Sequence, residues 1–340
     1  MKVLITGGNG FIGQRITRIL LAKGVAVRWA SRSRPNRLPA NVEHMTLDMA
    51  APEGLAQVLE GCTHVIHLAA REDMPVLPRG DPDGELMFQT NVRGTDRLLK
   101  ACREAALDKI VVVTSVFTFG WKRTPGPDDG SCPHNLSAMR SVYVESRYQQ
   151  EFVCLEHAAA GLPVVICAPS IVVGAGDTKL AGPAVRAVQK GLIKAVPAGG
   201  VNCIDVEDVA QGLVSALTQG VPGTRYPLVG HNVRWHTFFS LIAEAVGCPP
   251  PVLLPEWVIR LGLFVVRGFD RFVRGRHSAF LIGPELLSGD FYFSRERAAR
   301  ELQLPCTPMK RSIEQTVVWV KTGQLPELPA VTEELSAASA

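Results

Sequence analysis

The stretch Met1-Lys-Val-Leu-Ile-Thr-Gly-Gly-Asn-Gly-Phe-Ile-Gly13 restricts the fold more than any other part of the chain. Lys2 to Thr6 is a short apolar run rich in β-formers, and Phe11, Ile12, Ile16, Ile19 and Leu20 then switch to helical spacing. Strand, tight turn and helix follow with no spare residue. Gly7 permits the turn, Gly10 lets a phosphate approach bare backbone, and Gly13 lets the helix pack on the strand. The N–H groups of Phe11, Ile12 and their neighbours then face a negative ligand at the helix start. Such a loop is a place to lay a dinucleotide pyrophosphate.

At 340 residues the chain exceeds one core, since single cores stop growing near about 250–300 residues. One large α/β domain with a smaller lobe is expected. Apolar residues at 46% and charged ones at 20% fit a globular protein. The net charge of +4 comes without a long basic run or aromatic interleaving, so nucleic-acid binding has no support. No signal-like n-region and h-region precede the first strand, and a cytoplasmic location is expected. The eight cysteines form no CxxC pair and read as reduced core thiols. No HExxH or Cys/His spacing suggests a metal site, and His64 and His67 read as structural residues of a strand.

Val25 to Ala30 reads as the second strand, and its end selects the dinucleotide. NAD enzymes favour an acidic residue there, whereas Arg accommodates the 2′-phosphate of NADP. Here the chain reads Ser31-Arg32-Ser33-Arg34, with two guanidinium groups, two hydroxyls and no carboxylate. NADP(H) is therefore favoured, with NAD(H) as the alternative.

Further strands are expected at Val42 to Leu47, ending at Asp48, at His64 to Leu68, running into Ala69-Ala70, and at Ile110 to Val113 and Pro163 to Cys167. Helices are expected at Pro52 to Leu59, Phe88 to Ala106 and Ser141 to Ala160, the last with Tyr143 and Arg147 on one face. Loops rich in Gly, Pro and Asp cover 71–84 and 120–140. Residues 1–170 then form the dinucleotide domain, with 201–229 returning to it, while 171–200 and 230–325 form a substrate lobe. Leu254 to Val273 is apolar but interrupted by five charges, which suits an amphipathic helix and not a membrane span. Residues 326–340 read as a disordered tail.

The TGxxGxxG loop, the HLAA strand end, NVRGT from Asn91, VVVTSVFTFG and YVESRYQQE occur in one order. Together they resemble the extended class of the short-chain dehydrogenase/reductase superfamily, over nearly the whole chain to residue 302. The resemblance implies a Rossmann-type doubly wound parallel sheet with a smaller C-terminal substrate-binding lobe. It implies that Asp48 contacts the adenine and that Leu68, Ala69, Ala70, Pro169 and Ser170 lie along the cofactor. It further implies that Asn91 supports the active site, Ser115 holds the substrate oxygen and Tyr143 supplies a proton.

Where the family carries Lys in YxxxK, this chain has Arg147. Arg keeps the charge, but its planar fork cannot deprotonate and so cannot join a proton relay. The segment CAPSIVVGAGD, with Ala168 where nucleotide-sugar epimerases usually carry Arg, looks more like dihydroflavonol reductases and 3β-hydroxysteroid dehydrogenases. The resemblance thus implies a ketone reductase or alcohol dehydrogenase acting on a small hydrophobic carbonyl or alcohol. A nucleotide-sugar epimerase or dehydratase, and a catalytically weak NADP-binding sensor or partner protein, stay open as alternatives. So does assembly, a homodimer included.

Overall fold

The structure, a computed structural model, describes residues 1–72, 82–121, 127–130, 132–136, 141–255, 257–258, 261 and 289–325. The chain opens with β1 (Lys2–Thr6), α1 (Phe11–Ala22), β2 (Ala26–Ser31), β3 (Val42–Thr46), α2 (Leu55–Leu59) and β4 (His64–His67). Next come α3 (Pro82–Phe88), a π-helical turn (Gln89–Arg93), α4 (Gly94–Glu104), β5 (Lys109–Val113), a 3₁₀ turn (Val116–Thr118), α5 (Val142–Ala159) and β6 (Val164–Pro169). After β7 (Ile171–Val173) follow α6 (Ala181–Gln189), β8 (Ala195–Val196), β9 (Gly200–Asp205), α7 (Val206–Gln219), β10 (Arg225–Leu228), β11 (His231–Arg234), α8 (Trp235–Val246) and β12 (Val252–Leu253). The last described elements are β13 (Asp290–Phe291), α9 (Glu296–Glu301) and α10 (Met309–Thr322).

Among the described residues seven strands form one parallel sheet in the order β10-β6-β5-β4-β1-β2-β3. Strands β5 and β6 are almost wholly apolar because both faces of the sheet are covered, and β4 between β5 and β1 keeps Val65 and Ile66 at its centre. Val3, Ile5, Ile66, Val111 and Val165 pack with Ile16 and Leu20 of α1 and Leu213 of α7. The alternate residues Leu4, Val65, Ile110, Val112 and Ile166 pack with Leu98 and Leu99 of α4 and Cys154 of α5. This is a Rossmann-type, doubly wound sheet. From β1 the chain runs to β2 and β3 on one side and later to β4, β5 and β6 on the other. The crevice at the carboxyl end of β1 is therefore the switch point at which such sheets bind ligands.

A second sheet, with β11, β9 and β13 in line and β7 beside β9, packs with α6, α8 and α10 around a separate core. Segment 201–229, expected to return to the large sheet, is thereby divided. Strand β9 pairs within the small sheet while its Ile204 packs in the core of the large one, and β10 joins the large sheet itself, with α7 against it. Asp205 sits at the change-over and caps α7 by accepting from the Glu207 amide (2.8 Å). Arg15 and Arg18 of α1 then grip Glu207 from across the layer (3.2 and 2.9 Å).

Two helices differ from expectation. Helix α2 starts at Leu55, three residues late, because Gly54 before it is left-handed (φ 72°). The helix expected over 88–106 starts early, at Pro82, which suits a first helical position with Asp83 and Glu85 in the opening turn. It also carries the π-helical turn around Asn91, and it ends before Ala106, which is left-handed (φ 49°). All eight cysteines are free thiols, and burial pushes Cys102 and Cys203 up to about 12. No helix among the described residues is long and apolar enough to cross a membrane. Most of loop 71–84, most of the 254–273 stretch and the tail 326–340 lie outside the described residues.

Candidate active site

The residues singled out from the sequence gather at the carboxyl ends of β1 to β6. Gly7 is left-handed (φ 73°), and its amide donates to the Ala30 carbonyl at the end of β2 (2.9 Å). A Cβ on Gly13 would lie 2.6 Å from the Gly7 oxygen, so only glycine lets α1 start this close to the turn. Gly10 is the helix N-cap and offers no side-chain cap, which leaves the first amides of α1, at Phe11 and Ile12, without one. Gly8 has no local pattern to single it out in the sequence. A Cβ there would fall 2.3 Å from the indole of buried Trp29, which is held in place by its Nε1 donating to Thr17 (2.7 Å). The cradle thus has the bare backbone that a pyrophosphate requires.

At the end of β2, Ser31 is half-buried while Arg32 and Arg34 are exposed. Asp48 follows β3 and uses one oxygen to accept from the Ala50 amide (3.0 Å). Leu68 and Ala69, ahead of Ala70, are tied to β1, the Leu68 amide donating to the Thr6 carbonyl and the Ala69 amide to the Thr6 hydroxyl (both 3.1 Å). Pro169 ends β6, and the Ser170 hydroxyl donates to Asn202 of β9 (2.7 Å), fastening the large sheet to the small one.

Beneath the crevice runs a buried polar chain. Thr95 gives its single hydroxyl proton to the Asn91 carbonyl (2.7 Å), so it accepts from His67 Nε2 (3.0 Å) and Gln150 Nε2 (3.1 Å). His67 therefore carries its proton on Nε2, and its Nδ1 accepts from the Thr6 hydroxyl (2.7 Å). Burial, aided by Arg147, pushes the His67 pKa down to about 3, and the ring is neutral. On the far side, Gln150 Oε1 accepts from Arg147 (2.9 Å). The sequence marks His67 only as a strand residue; its place as a link follows from Thr95, which closes NVRGT, and Gln150, which lies within YVESRYQQE, and neither motif foretells that the two meet at His67.

Arg147 and Tyr143 share a face of α5, with the guanidinium carbon 5.5 Å from the Tyr143 ring centre. The guanidinium is 2% exposed and also donates to the Val113 carbonyl (3.3 Å) and Glu72 (3.2 Å). Lys179, from the loop before α6, holds the other Glu72 oxygen. Burial acts to raise the Glu72 pKa, but Arg147 and Lys179 together outweigh it and keep the carboxyl below its usual range. Asn91 fixes the start of this segment, accepting from the Arg71 amide (2.8 Å) and donating to the Arg71 carbonyl (3.0 Å) and the Ser146 hydroxyl (3.1 Å). Ser115, after β5, caps the 3₁₀ turn through the Phe117 amide (3.4 Å).

Around Tyr143 the surroundings are aromatic. Phe117 meets its ring edge-on at 6.3 Å, and Phe291 lies 5.5 Å from Phe117 and 6.2 Å from Trp121. Ala168 is fully buried in the same cluster with Phe293. Phe291 and Phe293 come from the small sheet and its exit, so both layers contribute to this wall.

A model of the NAD dependent epimerase/dehydratase family matches residues 3–228. The chain is 27% identical over 320 residues to the Mycobacterium tuberculosis protein named 3 beta-hydroxysteroid dehydrogenase/Delta 5-->4-isomerase, covering 88% of this chain and 85% of that one. Among solved structures it is similar to gox2253 (TM-score 0.81, 28% identity, 96% of this chain and 99% of that one). It also shares the fold of the Thermus thermophilus UDP-glucose 4-epimerase in complex with NAD (TM-score 0.75, 22% identity, 95% and 100% covered).

Proposed function

The chain belongs to the NAD dependent epimerase/dehydratase family, and from that premise we propose that it is an NADP(H)-dependent oxidoreductase interconverting a ketone and a secondary alcohol on a small hydrophobic molecule. The observation that carries this is the aromatic wall of Phe117, Trp121 and Phe291 beside Tyr143. Ala168 is buried in the same cluster, at the position where a sugar diphosphate would call for a cation. The steroid named for the mycobacterial relative is a ligand of the kind such a wall suits.

Gly7, Gly10, Gly13 and the amides of Phe11 and Ile12 hold the pyrophosphate. Asp48 takes the adenine edge, Leu68 to Ala70 and Pro169-Ser170 line the groove, and Ser31, Arg32 and Arg34 select the 2′-phosphate. A dinucleotide held there would supply or receive the hydride. Tyr143 donates the proton to the forming alkoxide oxygen, and Ser115 fixes that oxygen. Arg147 supplies fixed positive charge beside the phenol, and Asn91 holds both α5 and the backbone at Arg71.

Turnover of a carbonyl panel, followed at the absorbance of reduced nicotinamide, tests the proposal. Ring or long-chain ketones should be reduced with NADPH. Tight calorimetric binding of a UDP-sugar with no response to apolar ketones would replace it with the epimerase reading. NADPH binding with no reduction of any carbonyl would replace it with the sensor reading.

A further inference from the structure

Beside the phosphate-selecting loop, strands β2 and β3 run parallel with Trp29 opposite His44 and Ser31 opposite Thr46. This register puts His44 and Ser31 on one face of the sheet. The Ser31 hydroxyl lies 2.9 Å from His44 Nε2 and donates to the Ser33 carbonyl (2.9 Å). Its one proton being committed, Ser31 accepts from the imidazole, so His44 carries hydrogen on Nε2 and leaves Nδ1 basic. Arg34 is the charged group acting on this imidazole among the described residues, and the Ser33 backbone is its other polar neighbour. Arg32 and Arg34 are exposed on either side of Ser33.

The geometry points to His44 as a specificity-determining residue that takes up a proton when a 2′-phosphate binds at Ser31, so that preference for NADPH over NADH strengthens as pH falls. This rests on the NADP(H) reading above. In the free chain, burial and then Arg34 hold His44 below the ordinary histidine value. An arriving dianion turns the Ser31 proton from the Ser33 carbonyl to itself and offsets the repulsion from Arg34. The imidazole, one hydrogen bond behind Ser31, then becomes an imidazolium whose Nδ1 proton comes from solvent, and no other covalent bond changes. The sign follows from linkage. A pKa raised in the complex adds affinity that is fully present below the free-state pKa and fades as pH rises through the bound-state pKa.

Isothermal titration of the full chain with NADPH and NADH between pH 5.5 and 8.5, in buffers of different ionisation enthalpy, tests this. A rise of one unit in the His44 pKa corresponds to up to about a tenfold gain in the NADPH:NADH affinity ratio from high to low pH. The ratio should rise toward that limit in the parent, with net proton uptake specific to NADPH. His44→Gln should remove both effects while changing NADPH affinity at pH 8.5 by less than about twofold, since the imidazole is neutral there. The 2′-phosphate titrates in the same range with opposite effect on affinity, so the comparison of parent with His44→Gln isolates the imidazole. If that variant does not fold, proton uptake measured on the parent, and its loss in Ser31→Ala, carry the test. A clear NADPH preference whose pH course and proton uptake are unaltered by His44→Gln overturns the inference and leaves the cofactor reading standing. Equal affinity for both dinucleotides at every pH overturns both.

Discussion

The Arg147 guanidinium reaches the Glu72 carboxylate across 3.2 Å, joining the middle of α5 to the residues that follow β4. A cation that is 2% exposed thereby has its counter-ion at the rim of the crevice, on a side chain 43% exposed. Glu72→Gln should destabilise the protein by about 1 kcal/mol, because the several kcal/mol of a broken buried pair are reduced by solvent at the glutamate. The Glu72 carboxyl is held below its usual range, so its contribution is present above the unfolded value near about 4.3 and lost as pH falls through the folded one. Urea unfolding at a series of pH values below 7 checks this, since the two proteins should differ at pH 7 and the difference should narrow as the pH is lowered.

In the proposed mechanism Tyr143 and Arg147 decide the chemistry. Tyr143→Phe should lower kcat by about 10²–10⁴-fold, the usual worth of a positioned general acid, and leave NADPH binding nearly unchanged. Arg147→Lys should retain or raise activity and shift the pH profile, because an ammonium is compact where the guanidinium is a fork. Arg147→Met should depress activity severely. Measured kcat over pH 6–10 for the four proteins separates these outcomes, and parental turnover in Tyr143→Phe would place the proton donor elsewhere.

Arg32→Ala should weaken NADPH by about 1.5–3 kcal/mol, the worth of one charge-assisted hydrogen bond, and leave NADH binding within error. Fluorescence titration with each dinucleotide reads the difference. A parallel loss for both would mean that Arg32 does not meet the 2′-phosphate.

His67 should stay neutral in the folded protein down to about pH 3. An unfolded histidine binds its proton near about 6.5, so stability from His67 is intact above that and falls by up to about 1.4 kcal/mol per pH unit below it. Nitrogen-15 spectra should show hydrogen on Nε2, and His67→Gln should flatten the loss of stability between pH 6.5 and 4. An imidazole titrating near 6.5 in the native protein would contradict the assignment.

Much of the cofactor cradle is legible in the sequence because its demands are local. Gly7 and Gly13 answer to the turn and the helix beside them, and period-2 burial marks Val3, Ile5 and their alternates. What escapes notice depends on distant partners. Gly8 is required by Trp29 on the next strand, and Glu72 matters because α5 and the loop before α6 converge on it. The two-residue strand β13 carries too little pattern to reveal that Phe291 lies near Tyr143. The π-helical turn at Asn91 is hidden because one extra residue leaves an apolar stripe nearly intact.

The chain of bonds from Thr6 through His67, Thr95 and Gln150 to Arg147 gives the two halves of the crevice a shared frame of reference. Thr6 is the last residue before the glycine turn, and Arg147 lies on the helix that presents Tyr143. The glycine turn and the Tyr143 phenol are consequently registered against one buried ruler instead of being set separately by two loops. Lesions on either side of its centre, Thr6→Val and Gln150→Leu, should therefore interact: a double-mutant cycle should return a coupling of about 0.5–3 kcal/mol although the two side chains do not touch.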